Sequence, residues 1–202
     1  RASQARAKRG KAPEATELQV WDFDGTLADS PLPDTGAWEA ATGEPWPHKG
    51  WWGRPESLLP PLRCSPGPAH AEFLETSDKE GSLAVLVTGR RGKIAPGVMA
   101  VLRSLGPECH RHEFNCTGHD TLTFKSQLIA DMLRQHPTVR RVRVYEDRPE
   151  HVEAFRGLGR RFPRLESWEV VDVDPPAPSG SRRPRPADLA AGYASVVVGA
   201  PG

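Results

Sequence analysis

Asp22-Phe23-Asp24-Gly25 closes an apolar run, Leu18-Gln19-Val20-Trp21. Two carboxylates at i and i+2 on a strand share one face. Burying both without a partner would cost several kcal/mol, so the pair calls for a compensating charge. A divalent cation supplies one, and hard Mg²⁺ prefers carboxylate, carbonyl and water oxygens. Gly25 then lets the chain turn sharply away. Other polar groups that close ordered segments are Thr88-Gly89-Arg90 and Glu146-Asp147-Arg148, with Lys125 near the start of an amphipathic stretch. Each has a plain structural reading: a turn or cap for the first pair, a solvated position for the lysine, and a helix cap before Pro149 for Glu146-Asp147. The pattern taken together points to chemistry.

The elements that must position these groups are regular after Gly81. Leu83-Ala84-Val85-Leu86-Val87 is a continuous apolar run, as in a strand covered on both faces. A helix is expected from Ile94 to Leu105, a short strand around Glu113–Cys116, and a helix from Leu122 to about Gln135. Phe124, Leu128, Ile129, Met132 and Leu133 give that last helix its stripe. A strand at Val139–Tyr145, a helix from His151 to about Arg161 and a strand at Trp168–Val173 follow. Strands alternating with helices imply an α/β fold with a parallel sheet between helical layers. Ligands of such sheets bind beyond the carboxyl ends of the strands, which is where Asp22, Asp24, Thr88, Glu146 and Asp147 fall.

The flanks are less regular. Residues 1–16 read as a disordered basic tail and 17–175 as the folded domain, with 31–80 as an insert holding nine prolines and four tryptophans. No helical period survives in the insert, so it is expected to be an ordered loop region pinned by aromatics. Residues 176–202 read as a Pro/Arg linker with a further strand at Ser195–Val198. The opening Arg suggests a fragment or a processed product. With 202 residues and a net charge of +1, the chain is long enough for one domain and is not a polyelectrolyte binder as a whole. Three cysteines with no CxxC pair favour a reducing, intracellular setting, with no compartment assigned. No apolar run approaches the ~18 residues of a membrane span.

Asp22-Phe23-Asp24-Gly25-Thr26-Leu27 resembles the first motif of the haloacid-dehalogenase (HAD) superfamily, and Thr88, Lys125 and Glu146-Asp147 match the other three in order. The resemblance implies a HAD-like Rossmannoid three-layer sandwich and a Mg²⁺-dependent phosphatase. In that scheme Asp22 attacks phosphorus and forms an aspartyl-phosphate. Asp24 protonates the leaving oxygen and later deprotonates water. Thr88 and Lys125 hold the phosphoryl oxygens, with Gly25, Thr26 and Gly89 lining the substrate. Mg²⁺ would be held by Asp22, the Asp24 backbone carbonyl and Asp147, with Glu146 close by; the glutamate departs from the usual pair of aspartates. The scheme requires side chains 22, 24 and 147 to converge, facing Thr88 and Lys125 across a phosphate-sized gap.

Further stretches are similar to a narrower group, the Swiss Army Knife RNA-repair HAD domains. They are Pro31-Leu32-Pro33 with Trp38, Gly50-Trp51-Trp52-Gly53-Arg54-Pro55 with Leu58, Thr121–Lys125 and Tyr145–Phe155, so that the similarity spans about residues 18–175. The Thr-Gly-Arg and Glu-Asp-Arg runs also look like the end-healing phosphatase domain of polynucleotide kinases, which implies Arg90 and Arg148 at the substrate phosphate. Both resemblances imply phosphorylated RNA or DNA ends as substrate. There is no room for a large cap domain between the third strand and Lys125, and the insert lacks amphipathic cap helices, so an open site is expected. Arg90, Arg91, Arg140, Arg141 and Arg143 could contact a phosphate backbone, although solvated charge is the expectation for the last three. Trp51 and Trp52 suit either base stacking or, as expected here, the small core of the loop. Cys109, His110, His112, Cys116 and His119 match no standard zinc spacing. Two alternatives stay open: a non-catalytic binding module in a larger assembly reached through the basic tails, and a small-metabolite phosphatase.

Overall fold

The structure is a computed structural model and describes residues 14–173. The basic opening, the Pro/Arg stretch and the strand expected at Ser195–Val198 therefore lie outside the described residues, apart from the first few positions that lead into the sheet. Five strands form one parallel sheet: β1 (Glu17–Trp21), β4 (Ser82–Thr88), β5 (Arg111–Phe114), β6 (Arg141–Glu146) and β7 (Ser167–Asp172). Their order is β5-β4-β1-β6-β7. The chain works outward from β1 to β5, then returns to pair β6 with the other side of β1. That reversal opens a crevice beyond the carboxyl end of β1.

Alternation along β1 explains the two apolar layers. Leu18 and Val20 face one way, into a cluster with Phe124, Ile129, Met132 and Phe155 from α4 (Thr121–Gln135) and α5 (Pro149–Gly159). Trp21 faces the other, into a cluster with Phe73 of α2 (His70–Thr76) and Val98 and Leu102 of α3 (Ala95–Leu105). Trp21 stacks on Tyr145 of the adjacent strand, ring centroids 3.5 Å apart.

Most expected elements appear within a few residues of their expected limits. The edge strand β5 lies two residues earlier than expected. Its position is set by pairing with β4, Val85 opposite Arg111 through Thr88 opposite Phe114, and Arg111 and His112 carry no apolar signal. The insert holds α1 (Ala37–Thr42) and α2, and its β3 (Ser65–Pro66) pairs antiparallel with β2 (Ala28–Asp29), which lies just before it. These helices are too short to leave a helical period in sequence. Trp46 lies between Trp38 and Trp51, centroids 5.0 and 4.4 Å away, and Trp51 Nε1 donates to the Pro31 carbonyl at 2.9 Å. Among the described residues there is no cap domain. No described helix is long and apolar enough to cross a membrane.

Candidate active site

Asp22 is the first residue past β1, yet its N–H still donates to the Tyr145 carbonyl at 3.1 Å. Strand pairing thus fixes where its carboxylate begins. Gly25 has φ 74°, and a Cβ there would collide with the Asp147 carboxylate. The glycine therefore serves both the turn and the close approach of β1 to the end of β6. Gly89 is constrained from another side, since a Cβ would come within 2.7 Å of Thr121 Cγ2. The loop after β4 consequently abuts the first turn of α4. Asp120 caps that helix, accepting from the Thr123 N–H at 2.9 Å. Lys125 follows one turn later, 2% exposed.

From there the Lys125 ammonium donates to Glu146 Oε2 at 2.7 Å and lies 2.8 Å from Asp22 Oδ1. Asp22, Glu146 and Asp147 each offer an oxygen, all within 4.8 Å of one another. Three acids thus lie together, two of them on the one ammonium. Burial, with the nearby Glu146 and Asp24 charges and against the pull of Lys125, pushes the Asp22 carboxyl up to about 7. Burial, then Asp22 and Glu146, raises Asp147 to about 8. Burial acts on Glu146 in the same sense, but Lys125 and His151 outweigh it and hold that carboxyl well below the usual range. Burial would lower Lys125, yet its two acidic partners keep it above its ordinary value. Lys125 thus pairs with both Asp22 and Glu146 and favours the charged form most at Glu146, while Asp22 and Asp147 hold their protons more tightly than free carboxyls.

Asp147 Oδ1 is buried without a hydrogen-bond partner. An all-oxygen donor set, an excess of acid and an orphaned buried oxygen together fit a hard divalent cation such as Mg²⁺. The other side of the site departs from the convergence expected of Asp24. Its side chain turns away from the acid trio to Arg90, whose Nε donates to Oδ2 at 2.9 Å and Nη2 to Oδ1 at 2.8 Å. Ser30 Oγ donates to the same carboxylate. Arg90 is 3% exposed, and its remaining nitrogen donates to Ser57 Oγ at 3.0 Å and the Trp52 carbonyl at 3.3 Å. The donors of Arg90, expected at the substrate phosphate, are here directed at Asp24, Ser57 and Trp52. A buried guanidinium needs partners for its donors, and here Asp24 and the insert supply at least one to each nitrogen.

The remaining sequence candidates fall around this pair of networks. Thr88 is fully buried at the end of β4, its Oγ1 accepting from the Arg90 N–H at 3.1 Å. Thr26 is buried with Oγ1 unpartnered. Arg148 is half-buried at the N-cap of α5. Trp51 is core, as expected, whereas Trp52 is 39% exposed and lies against the Arg90 guanidinium, 5.1 Å from Cζ to centroid. Arg141 and Arg143 pair with Glu17 and Glu169 on the sheet. His110 Nδ1 accepts from the Ala84 N–H at 3.0 Å and Cys109 packs against the core, so neither is free to bind zinc. Sequence reasoning did not find Ser30, Ser57 or His151. The His151 ring is buried, with Nδ1 3.3 Å from Glu146 Oε2. Its only sequence signal was a place one turn into the helix that follows Glu146-Asp147.

A central parallel sheet with this order, and an acid, hydroxyl and lysine set at its carboxyl edge, defines a HAD-type domain. A family model described as HAD domain family 1 in Swiss Army Knife RNA repair proteins matches residues 70–179, and the chain belongs to that family. An uncharacterized protein of Saccharomyces cerevisiae is 24% identical over 189 residues, covering 79% of this chain and 41% of that protein. The chain thus spans about two fifths of that relative's length. No solved structure matches it.

Proposed function

We propose that the domain is a Mg²⁺-dependent phosphohydrolase that works through an aspartyl-phosphate on Asp22 and acts on phosphorylated RNA or DNA ends. The observation that carries the proposal is the Asp22–Lys125–Glu146–Asp147 cluster, with Asp24 held two residues beyond the nucleophile. Asp22 Oδ attacks phosphorus in line and the ester oxygen leaves. Asp24, held by Arg90 and Ser30, gives that oxygen its proton and later takes one from the water that hydrolyses the acyl phosphate. Lys125 restrains the nucleophile and, with Thr88, donates to the phosphoryl oxygens as charge builds on them. Asp22 and Asp147, with the Asp24 backbone carbonyl, would hold Mg²⁺, which offsets phosphoryl charge when bound. Glu146 keeps Lys125 in place rather than binding the ion directly.

Support for a polymer end comes from the absence of a cap among the described residues and from the family's occurrence in RNA repair proteins. The test is phosphate release from an aryl phosphate, from sugar phosphates, and from 3′- and 5′-phosphorylated oligonucleotides, each with and without Mg²⁺. Asp22→Asn should lower turnover by at least about a thousandfold with the circular dichroism spectrum unchanged. Activity confined to sugar phosphates would replace the substrate class. A folded wild type inert on every ester, yet binding oligonucleotides, would instead favour a binding module.

A further inference from the structure

The four tryptophans of the insert divide sharply in role. Trp38, Trp46 and Trp51 pack on one another, and Trp51 is buried. Trp52, its immediate neighbour, is the aromatic side chain among the large exposed apolar groups of the described residues. It is also held in place. The Arg90 guanidinium lies over its ring at 5.1 Å, and Arg90 Nη1 donates to its carbonyl at 3.3 Å. A cation beneath the ring steadies it and leaves the rest of the π surface open to a second group.

The position of the ring is informative. The guanidinium beneath it is bonded to Asp24, the residue assigned to protonate the leaving oxygen. Allowing one C–N bond of about 1.3 Å within the guanidinium, the ring centre lies within roughly 10 Å of that carboxylate. The leaving group must sit on the Asp24 side of phosphorus. A nucleoside leaving group carries its base one sugar ring away from the reacting oxygen, a separation of the same order. Beside Trp52 the exposed Lys93 brings its ammonium within 3.5 Å of where a Cβ on Gly53 would stand. A planar apolar surface next to a cation is the combination that takes up a base and its neighbouring phosphodiester.

We propose that Trp52 is a stacking platform for the base of the leaving terminal nucleotide, with Lys93 receiving the next phosphodiester. The proposal rests on the phosphohydrolase reading for the side on which the leaving group lies. Stacking tolerates every base, so the site would select nucleic-acid ends over other phosphate esters without selecting their sequence.

Two matched oligonucleotide pairs test it, one pair phosphorylated at the 3′ end and one at the 5′ end. Within each pair the terminal sugar carries adenine or is abasic. The full chain should prefer the adenine-bearing member by roughly tenfold in kcat/KM. Trp52→Ala should abolish that preference and Trp52→Phe should retain most of it. Lys93→Ala should weaken both members of a pair and lessen their salt dependence. No preference in the wild type, a preference that survives Trp52→Ala, or an equal fall on both members in Trp52→Ala would overturn the platform, the last because a mere prop for Arg90 acts on every ester alike. Fluorescence anisotropy of the same oligonucleotides on Asp22→Asn separates the two proposals. Trp52-dependent, base-dependent binding without wild-type turnover would sustain the platform and sink the hydrolase. Turnover indifferent to the base would do the reverse, and neither binding nor turnover would sink both.

Discussion

At the amino-terminal end of the sheet, Arg141 meets Glu17 at 3.1 Å and Arg143 meets Glu169 at 2.8 Å, with one member of each pair more than half exposed. At the carboxyl end, Lys125 meets Asp22 and Glu146 at similar distances, with all three side chains under a tenth exposed. β1 and β6 lead into both sets, and the distances are alike, so the contacts differ chiefly in burial. Arg143 also meets Glu72 at 3.3 Å, but these partly solvated pairs are screened and contribute little. The buried set has more acid than base and an orphaned Asp147 oxygen, an imbalance that a bound ligand is suited to correct. A fold does not need that imbalance for stability. Among the described residues the excess of acid is fully buried at the carboxyl edge, which supports the site proposed there.

The largest consequence concerns Lys125. Lys125→Met should destabilise the metal-free protein by about 3–5 kcal/mol in urea unfolding, because it leaves Asp22 and Glu146 buried without their cation. Mg²⁺ should recover part of the loss. A change below 1 kcal/mol would mean that the two edges are energetically alike.

Next comes pH. Asp22 and Asp147 have folded values raised to about 7 and about 8, so the folded state binds these protons more tightly than the unfolded chain. Their contribution is complete below about 4 and is lost as pH rises through 7 and 8. Glu146, held low, contributes above its unfolded value and loses that contribution only in acid. Lys125, raised, contributes until pH exceeds its own high value. Between pH 5 and 8 the two aspartates therefore dominate. Metal-free protein should lose stability on the order of a few kcal/mol across that interval, and Mg²⁺ should flatten the curve. Asp147→Asn should be the more stable protein at pH 8 without metal and should gain less from Mg²⁺. Thermal melts at both pH values, with and without the ion, check both signs.

Arg90 ties the chemical edge to the insert. Arg90→Lys keeps the charge but cannot reproduce a two-nitrogen hold on Asp24. The expected outcome is a fall in kcat of roughly tenfold, with KM for a small aryl phosphate little altered. A rise in KM alone would return Arg90 to the substrate phosphate.

The sheet was legible in sequence because its strands are continuous apolar runs closed by acids and hydroxyls, and burial on both faces leaves no other use for such runs. Asp22, Lys125 and Asp147 were legible for the same reason, as polar residues placed where strands or helix starts meet the crevice. The direction of the Asp24 side chain was not. It depends on Arg90, 66 residues away, and on Ser57 of an insert with no periodic signal. Trp51 and Trp52 are adjacent and chemically identical, yet one is core and the other exposed. Only the local course of a proline-rich loop separates them, and a hydrophobic pattern does not encode that course.

The smallest effect tests the comparison from its quiet side. Arg141 is half exposed and pairs with Glu17 across adjacent strands. Solvent screens the pair, and ordering two long side chains offsets much of its attraction. Arg141→Ala should therefore lower stability by less than about 1 kcal/mol, and the deficit should shrink in high salt. Turnover should be unchanged, because Arg141 and Glu17 open their strands at the end opposite the acid cluster. A stability loss as large as that of Lys125→Met would make the amino-terminal edge a second buried charge network. A loss of activity without a loss of stability would place a substrate contact there. Either result would end the contrast between the two edges, since a buried excess of acid would no longer single out the end proposed for the chemistry.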